Sequence, residues 1–276
     1  MASTLITVAP TGAETAKADW PALPTTLDEL VETAKRCEAA GAAMIHIHIR
    51  DVEHKPTLDL GRLTDTVAAI RANTALIVQL STGGAVADLY DHRLRVLDAV
   101  PDSCSLTMGT VNFGDDVFMN PWPFVTELYQ LTQEREVVPE FELFDLGQVA
   151  ALHRLLDKFG LPYGGRVHCD LVMGVPGGMP GTADALVAAV NALPDAVTSW
   201  SATGIGRTAL PVALAALSKG GNLRVGMEDT LTLAKGQPVN HNAELVERAA
   251  TLATLAQRPP MSPDEARDLL NVKRDR

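Results

Sequence analysis

Residues 25–51 read TTLDELVETAKRCEAAGAAMIHIHIRD, and their periodicities set the fold. Leu27, Leu30, Val31, Ala34 and Cys37 recur at i, i+3 and i+4 spacing, which predicts a helix over 26–40 with one apolar face. Thr26 and Glu29 form a capping-box pair at its start, and Gly41 supplies its stop. The pattern then becomes extended: AMIHIHI at 43–49 reads as a strand. A strand at 5–9, LITVA, precedes the helix, so the chain opens as a β-α-β unit.

The same alternation continues. Leu63, Val67 and Ile70 mark a helix before a strand at 75–80. A short helix at 91–97 leads to a strand at 104–107, and a helix at 121–135 to a strand at 137–143. A helix at 147–159, closed by Gly160, precedes a strand at 166–173. Helices at 183–193, 209–218 and 241–257 alternate with strands at 196–201 and 223–227. Eight strand–helix units with parallel crossovers predict a closed (β/α)8 TIM barrel. An open doubly wound sheet would carry a Gly-rich dinucleotide turn after the first strand, whereas residues 9–14 read APTGAE. The expectation is therefore one barrel domain over 1–276. Residues 258–276, with Pro259, Pro260 and Pro263, form a C-terminal extension that packs on the barrel or on another subunit.

Composition agrees with a folded enzyme-sized domain. The 276 residues are 46% hydrophobic and 21% charged, and α/β barrels reach roughly 250 residues as one domain. No run approaches the roughly 20 apolar residues of a membrane span. The first residues lack the basic start and long apolar stretch of a signal peptide. Cys37, Cys104 and Cys169 are too few and scattered for a disulfide framework, which points to a reducing, cytoplasmic setting. A formal charge of −11 argues against nucleic acid or anionic membrane as partner, since both need a broad basic surface.

In such a barrel, chemistry collects at the C-terminal strand ends. The sharpest feature there is His46-Ile47-His48. Residues i and i+2 of a strand face one side, roughly 6.5 Å apart, so two imidazoles can converge on a metal of the zinc type. A hydrogen-bonded pair in a half-buried strand is the bland alternative. A catalytic zinc needs a third ligand and an open position. His168, Glu140, Glu142, Glu228 and Asp229 are candidates, with Glu228 at the close of the last strand. Ser81-Thr82-Gly83-Gly84 can present backbone N–H groups to an anion.

The sequence resembles the β-keto acid cleavage enzyme family, whose founding activity is 3-keto-5-aminohexanoate cleavage. The matching segments are APTGAE (9–14), HIHIRD (46–51), QLSTGG (79–84), GTVNFG (109–114), PEFELFD (139–145), VMGVPGGMPGT (172–182), WSATGIGR (200–207) and RVGMEDT (224–230). The resemblance implies a Zn²⁺-dependent homotetrameric barrel. Its reaction condenses a β-keto acid with acetyl-CoA to give acetoacetate and a new acyl-CoA. Carried over by motif, His46, His48 and Glu228 hold the metal, and Arg224 and Asp229 form the acid–base pair. The arginine is expected to lower the aspartate's pKa. Glu14 stands at the mouth of the site. Ser81, Thr82, Gly83 and Gly84, with Thr107, hold the carboxylate and carbonyl region. Glu142 faces the variable end of the substrate, though Glu140, two residues away, faces the same way. Arg50, Arg166, Arg207 and Lys235 are candidates for the CoA phosphates. The competing readings are a metal-dependent barrel hydrolase, a class II-type aldolase without CoA, and a metal-binding module without turnover.

Overall fold

The computed structural model describes residues 3–273; the outermost positions of the expected 1–276 domain lie outside the described residues. Eight strands close a barrel. They are β1 (Ile6–Val8), β2 (Met44–Ile47), β3 (Ile77–Leu80), β4 (Ser103–Thr107), β5 (Val138–Leu143), β6 (Val167–Met173), β7 (Val197–Gly204) and β8 (Asn222–Val225). Each pairs in parallel with its neighbours in chain order, and β8 closes on β1 with Ile6 opposite Leu223. The helices between them are α1 (Leu27–Ala39), α2 (Leu60–Asn73), α3 (Tyr90–Arg95), α4 (Trp122–Glu134), α5 (Leu146–Phe159), α6 (Ala183–Ala192) and α7 (Ala209–Ser218), with α8 (Asn242–Leu255) after β8. This is the expected TIM barrel.

The capping box at Thr26 and Glu29 is present, and α1 buries Leu30, Ala34 and Cys37. The apolar core lies between strands and helices, with Leu63, Val67 and Ile70 of α2 and Leu152 and Leu155 of α5 fully enclosed. The barrel interior is polar instead. Arg224 of β8 bonds Glu142 of β5 at 3.0 Å, and Gln79 of β3 bonds Glu140 of β5 at 3.2 Å. Neither pair of strands is adjacent, so both contacts cross the interior.

Three hairpins follow β2, β4 and β8, all at the C-terminal face: Ile49–Arg50 with Pro56–Thr57, Val111–Phe113 with Asp116–Phe118, and Thr232–Ala234 with Gln237–Pro238. The expected strand at 43–49 is interrupted at His48, where Ile49–Arg50 leaves the barrel to join its hairpin. The helix expected at 91–97 is split. It ends at Arg95 and continues as a 3-10 turn, Val96–Ala99, that stops at Val100 in the left-handed region with φ 53°.

The C-terminal extension packs on its own barrel. Thr4 donates its N–H to Pro259 O at 2.9 Å, and Met261 donates to Thr4 O at 2.8 Å. A ninth helix, α9 (Pro263–Leu270), starts with a Ser262–Glu265 capping box and proline in its first turn. Its Ala266 and Leu270, with Val272, pack on Leu5, Ala43, Met44, Ile77 and Val138 at the N-terminal ends of the strands. Arg267 donates to Leu76 O at 3.2 Å. The barrel floor is thus closed by the tail, at the end opposite the C-terminal face. Leu270 is 2% exposed, and Leu270→Ala is expected to cost about 2–4 kcal/mol of unfolding free energy, read from the urea midpoint at constant slope. Among the described residues, no helix is long and apolar enough to cross a membrane.

Candidate active site

A cavity of ≈ 480 Å³ opens at the C-terminal face. It is lined by His46 of β2 and His48 just after it, Ser81, Gly83 and Gly84 after β3, Glu142 of β5, and Arg224, Glu228 and Asp229 of β8 and its loop. The barrel closure brings β2 and β8 to either side of β1, which is how residues far apart in sequence meet.

Glu228 Oε1 lies 3.8 Å from His46 Nε2 and 3.7 Å from His48 Nε2. One ligand atom from each residue falls within 4.8 Å of the others, and this triad is the metal-competent group found among the described residues. Of the third-ligand candidates, Glu228 is the one that joins the histidines. Two further features fit a cation. Glu228 Oε2 is buried without a protein hydrogen-bond partner. Gln79 Oε1 accepts from His46 Nδ1 at 2.6 Å, leaving Nε2 facing Glu228. Burial, with Arg224 adding to it, holds His46 down at about 4, and burial lowers His48 as well. Both are neutral imidazoles at neutral pH. Burial would raise Glu228, but Arg224 and the two histidines hold it down to about 2, so it is a carboxylate. The APTGAE turn makes room for this group. Gly12 has φ 63°, and a Cβ there would stand 2.6 Å from Glu228 Cγ.

Arg224, 6% exposed, is gripped by carboxylates. It donates to Glu142 Oε1 at 3.0 Å, to Asp229 Oδ1 at 3.1 Å and Oδ2 at 3.3 Å, and to Glu228 Oε1. Burial pushes Asp229 up to about 7 despite Arg224, and the carboxylates of Glu228 and Glu142 push the same way. The sequence expectation of an arginine-depressed aspartate is therefore corrected: desolvation outweighs the arginine.

Glu140 and Glu142 occupy different layers. Glu142 lines the cavity, and its Oε2 accepts from Thr107 Oγ1 at 2.8 Å. Glu140 lies beneath it, accepting from Gln79 Nε2 at 3.2 Å, with His168 Nε2 3.2 Å away. Thr82 spends its hydroxyl on Ser105 O at 2.7 Å, and Thr107 spends its own on Glu142, so neither points a free hydroxyl at the cavity. Glu14 is exposed at the rim.

The candidate phosphate-binding residues separate. Arg50 is 4% exposed and donates to Gly12 O at 2.6 Å and Thr15 O at 3.0 Å, so it braces the loop after β1. Arg166 precedes β6 and stands at the floor of the barrel. Arg207 and Lys235 line a second depression that shares Thr15, Ile205, Glu228 and Asp229 with the cavity. Arg93 was not singled out by sequence. It is 3% exposed and donates to Thr82 O at 2.7 Å and Met119 O at 2.8 Å, tying the loop after β3 to the hairpin after β4. An arginine inside a short helix gives no sign of such a role. The three cysteines are free and buried.

A family model described as beta-keto acid cleavage enzyme matches residues 3–272. The chain belongs to the β-keto acid cleavage enzyme family. The chain is similar to the 3-keto-5-aminohexanoate cleavage enzyme of Acetoanaerobium sticklandii, 36% identical over 276 residues, covering 99% of this chain and 100% of that one. The 3-oxoadipate:acetyl-CoA acetyltransferase of Cupriavidus necator is 34% identical and covers 97% of this chain and 94% of its own. Among solved structures, apo ObcA superposes with a TM-score of 0.76 at 20% identity, over 91% of this chain and 66% of that chain, and so shares the barrel. This family member is an acyl-transferring enzyme that cleaves a carbon–carbon bond.

Proposed function

We propose that the protein uses Zn²⁺ to condense a β-keto acid with acetyl-CoA, releasing acetoacetate and the acyl-CoA of the keto acid's acyl end. The observation that carries this reading is the His46–His48–Glu228 triad beside the Arg224–Asp229 pair in one cavity. The donor set, two neutral imidazoles and one carboxylate, suits a catalytic zinc with an open position. When bound, the ion supplies Lewis-acid stabilisation of charge developing on the 3-keto oxygen.

The protein's own residues do the rest. Ser81 and the Gly83-Gly84 turn hold the keto-acid carboxylate, with Thr82 shaping that loop from behind. Asp229 takes a proton from C2 of the keto acid. The carbanion adds to the acetyl carbonyl of acetyl-CoA, and the C–S bond breaks to release the CoA thiolate. The thiolate adds to the former 3-keto carbon, and the C2–C3 bond breaks. Asp229 returns its proton to C2, giving acetoacetate. Arg224 keeps Asp229 in place through two hydrogen bonds, while Glu142 and Thr107 fix Arg224 from the other side. The depression with Arg207 and Lys235 adjoins the cavity and offers two exposed cations to the CoA phosphates. Free buried thiols suit a cytoplasmic enzyme, and the family resemblance suggests a homotetramer.

Incubation of the purified enzyme with β-keto acids tests the reaction: acetoacetate should form only when acetyl-CoA is also present. A second expectation concerns Gln79, which orients His46 from behind. Gln79→Leu should weaken zinc binding about 10–100-fold, measured by chelator competition, with the fold intact by circular dichroism. Unchanged zinc affinity would remove Gln79 from the metal site.

A further inference from the structure

The cavity has two chemically distinct halves. His46, His48 and Glu228 stand on the β8–β1–β2 side. Facing them, Phe113, Phe118, Phe144, Val172, Val175 and Ile205 come from the ends and loops of β4 to β7 and pack on one another. Phe113 meets Phe118 at 6.2 Å and Phe144 at 6.1 Å between ring centroids, both edge to face. With the carbonyl carbon near the metal group and the carboxylate at Ser81–Gly84, as proposed above, the third substituent, the acyl end, would point to this hydrocarbon wall.

No charge on the wall is left to receive a charged acyl end. Arg224 is the one lysine or arginine lining the cavity among the described residues, and it already donates to Glu142, Glu228 and Asp229. A second substrate carboxylate therefore finds no cation, and it meets Glu14, Asp115 and Asp116 at the rim. An ammonium group fares no better. Both oxygens of Glu142 are engaged, one by Arg224 and one by Thr107. Arg93 lies behind Phe118 with its guanidinium carbon 4.9 Å from the ring centroid, and its hydrogen bonds go to neutral oxygens. Its positive charge opposes a second cation on the same ring. Glu14 at the rim and Asp115 and Asp116 at the hairpin tip are all exposed, so water screens them.

We propose that the physiological keto acid carries an uncharged alkyl or aryl acyl end, seated against the Phe113–Phe118–Phe144 wall. This rests on the acyl-transfer reading above and specifies its substrate. Placing a charged group on this wall without a partner is unfavourable, whereas each added methylene is favourable.

The test is a panel of keto acids with acetyl-CoA and the zinc-loaded enzyme: 3-oxohexanoate, 5-methyl-3-oxohexanoate, 3-oxoadipate, 3-keto-5-aminohexanoate and 3-dehydrocarnitine. The two alkyl acids should exceed each charged one in kcat/KM by at least about 100-fold. In Phe113→Ala, kcat/KM for the alkyl acids should fall about 10-fold with the KM for acetyl-CoA unchanged. A charged acid as the best substrate overturns the proposal and leaves the reaction standing. So does a Phe113→Ala variant with raised acetyl-CoA KM and an unaltered keto-acid order, because the wall would then hold the pantetheine arm. Absence of acetoacetate from every acid overturns the reaction itself, and this proposal with it.

Discussion

In His46→Ala and Glu228→Gln, bound zinc should fall from about one ion per chain to below about a tenth, and acetoacetate formation should fall at least about a thousandfold. The two losses are expected together because these residues are two of the three side chains whose candidate ligand atoms lie within 4.8 Å of one another. The variants remove different atoms. His46→Ala takes away an imidazole already held by Gln79. Glu228→Gln keeps size and shape but replaces one oxygen with an NH₂ donor, which repels a cation, and it loosens an ion pair to Arg224. Metal content by atomic absorption and rate by acetoacetate assay read the outcome on the same sample. Full zinc and full rate in either variant would remove that residue from the site. A circular dichroism spectrum like that of the wild type separates site loss from unfolding, since both side chains sit at the C-terminal face, away from the apolar core.

Asp229→Asn should separate the two functions that the first pair joins. Zinc should stay bound, and kcat should fall by about 10²–10⁴-fold, the range for a removed general base. The amide is isosteric with the carboxylate, and Arg224 keeps its bonds to Glu142 and Glu228, so the pocket retains its frame. A direct readout of the proton step is exchange at C2 of the keto acid in deuterated water without acetyl-CoA. The wild type should accelerate it, and Asp229→Asn should not. Turnover near the wild-type rate, or undiminished exchange, would show that another group takes the proton.

Much of this site can be read from the chain because strand periodicity is local. His46 and His48 fall two apart on a strand, and that spacing alone turns both to one side. Even the break at His48 leaves their Nε2 atoms within 3.8 Å and 3.7 Å of the same carboxylate oxygen. The eight-unit count holds for a similar reason: each helix has its own apolar stripe and stop. Depth along the barrel is not local. Glu140 and Glu142 share a side by the same period-two rule, yet one is in the cavity wall and the other in the layer below, tied to Gln79 and His168. Only the stagger of neighbouring strands decides this.

Electrostatic environment is likewise invisible in sequence. The family resemblance pairs Arg224 with Asp229, but it does not show that the aspartate is 5% exposed, and burial reverses the sign of its shift. Arg166 is a different case: the strand read at 166–173 already puts it at the strand's start, so it belongs to the floor and not to the C-terminal face. In the tail, Pro263 opens a helix at its first turn, where a missing N–H does no harm, and Ser262 and Glu265 cap it.

The acetyl group of acetyl-CoA should become the acetyl end of acetoacetate while CoA is handed to the keto acid's acyl end. Acetyl-CoA labelled with carbon-13 in both acetyl carbons tests it directly, with products followed by nuclear magnetic resonance and mass spectrometry. The expected result is label in C3 and C4 of acetoacetate, with C1 and C2 unlabelled, and a new acyl-CoA without label. Label that stays on the CoA thioester, or cleavage of the keto acid at the same rate without acetyl-CoA, would contradict it and point to a hydrolase or an aldolase on the same barrel.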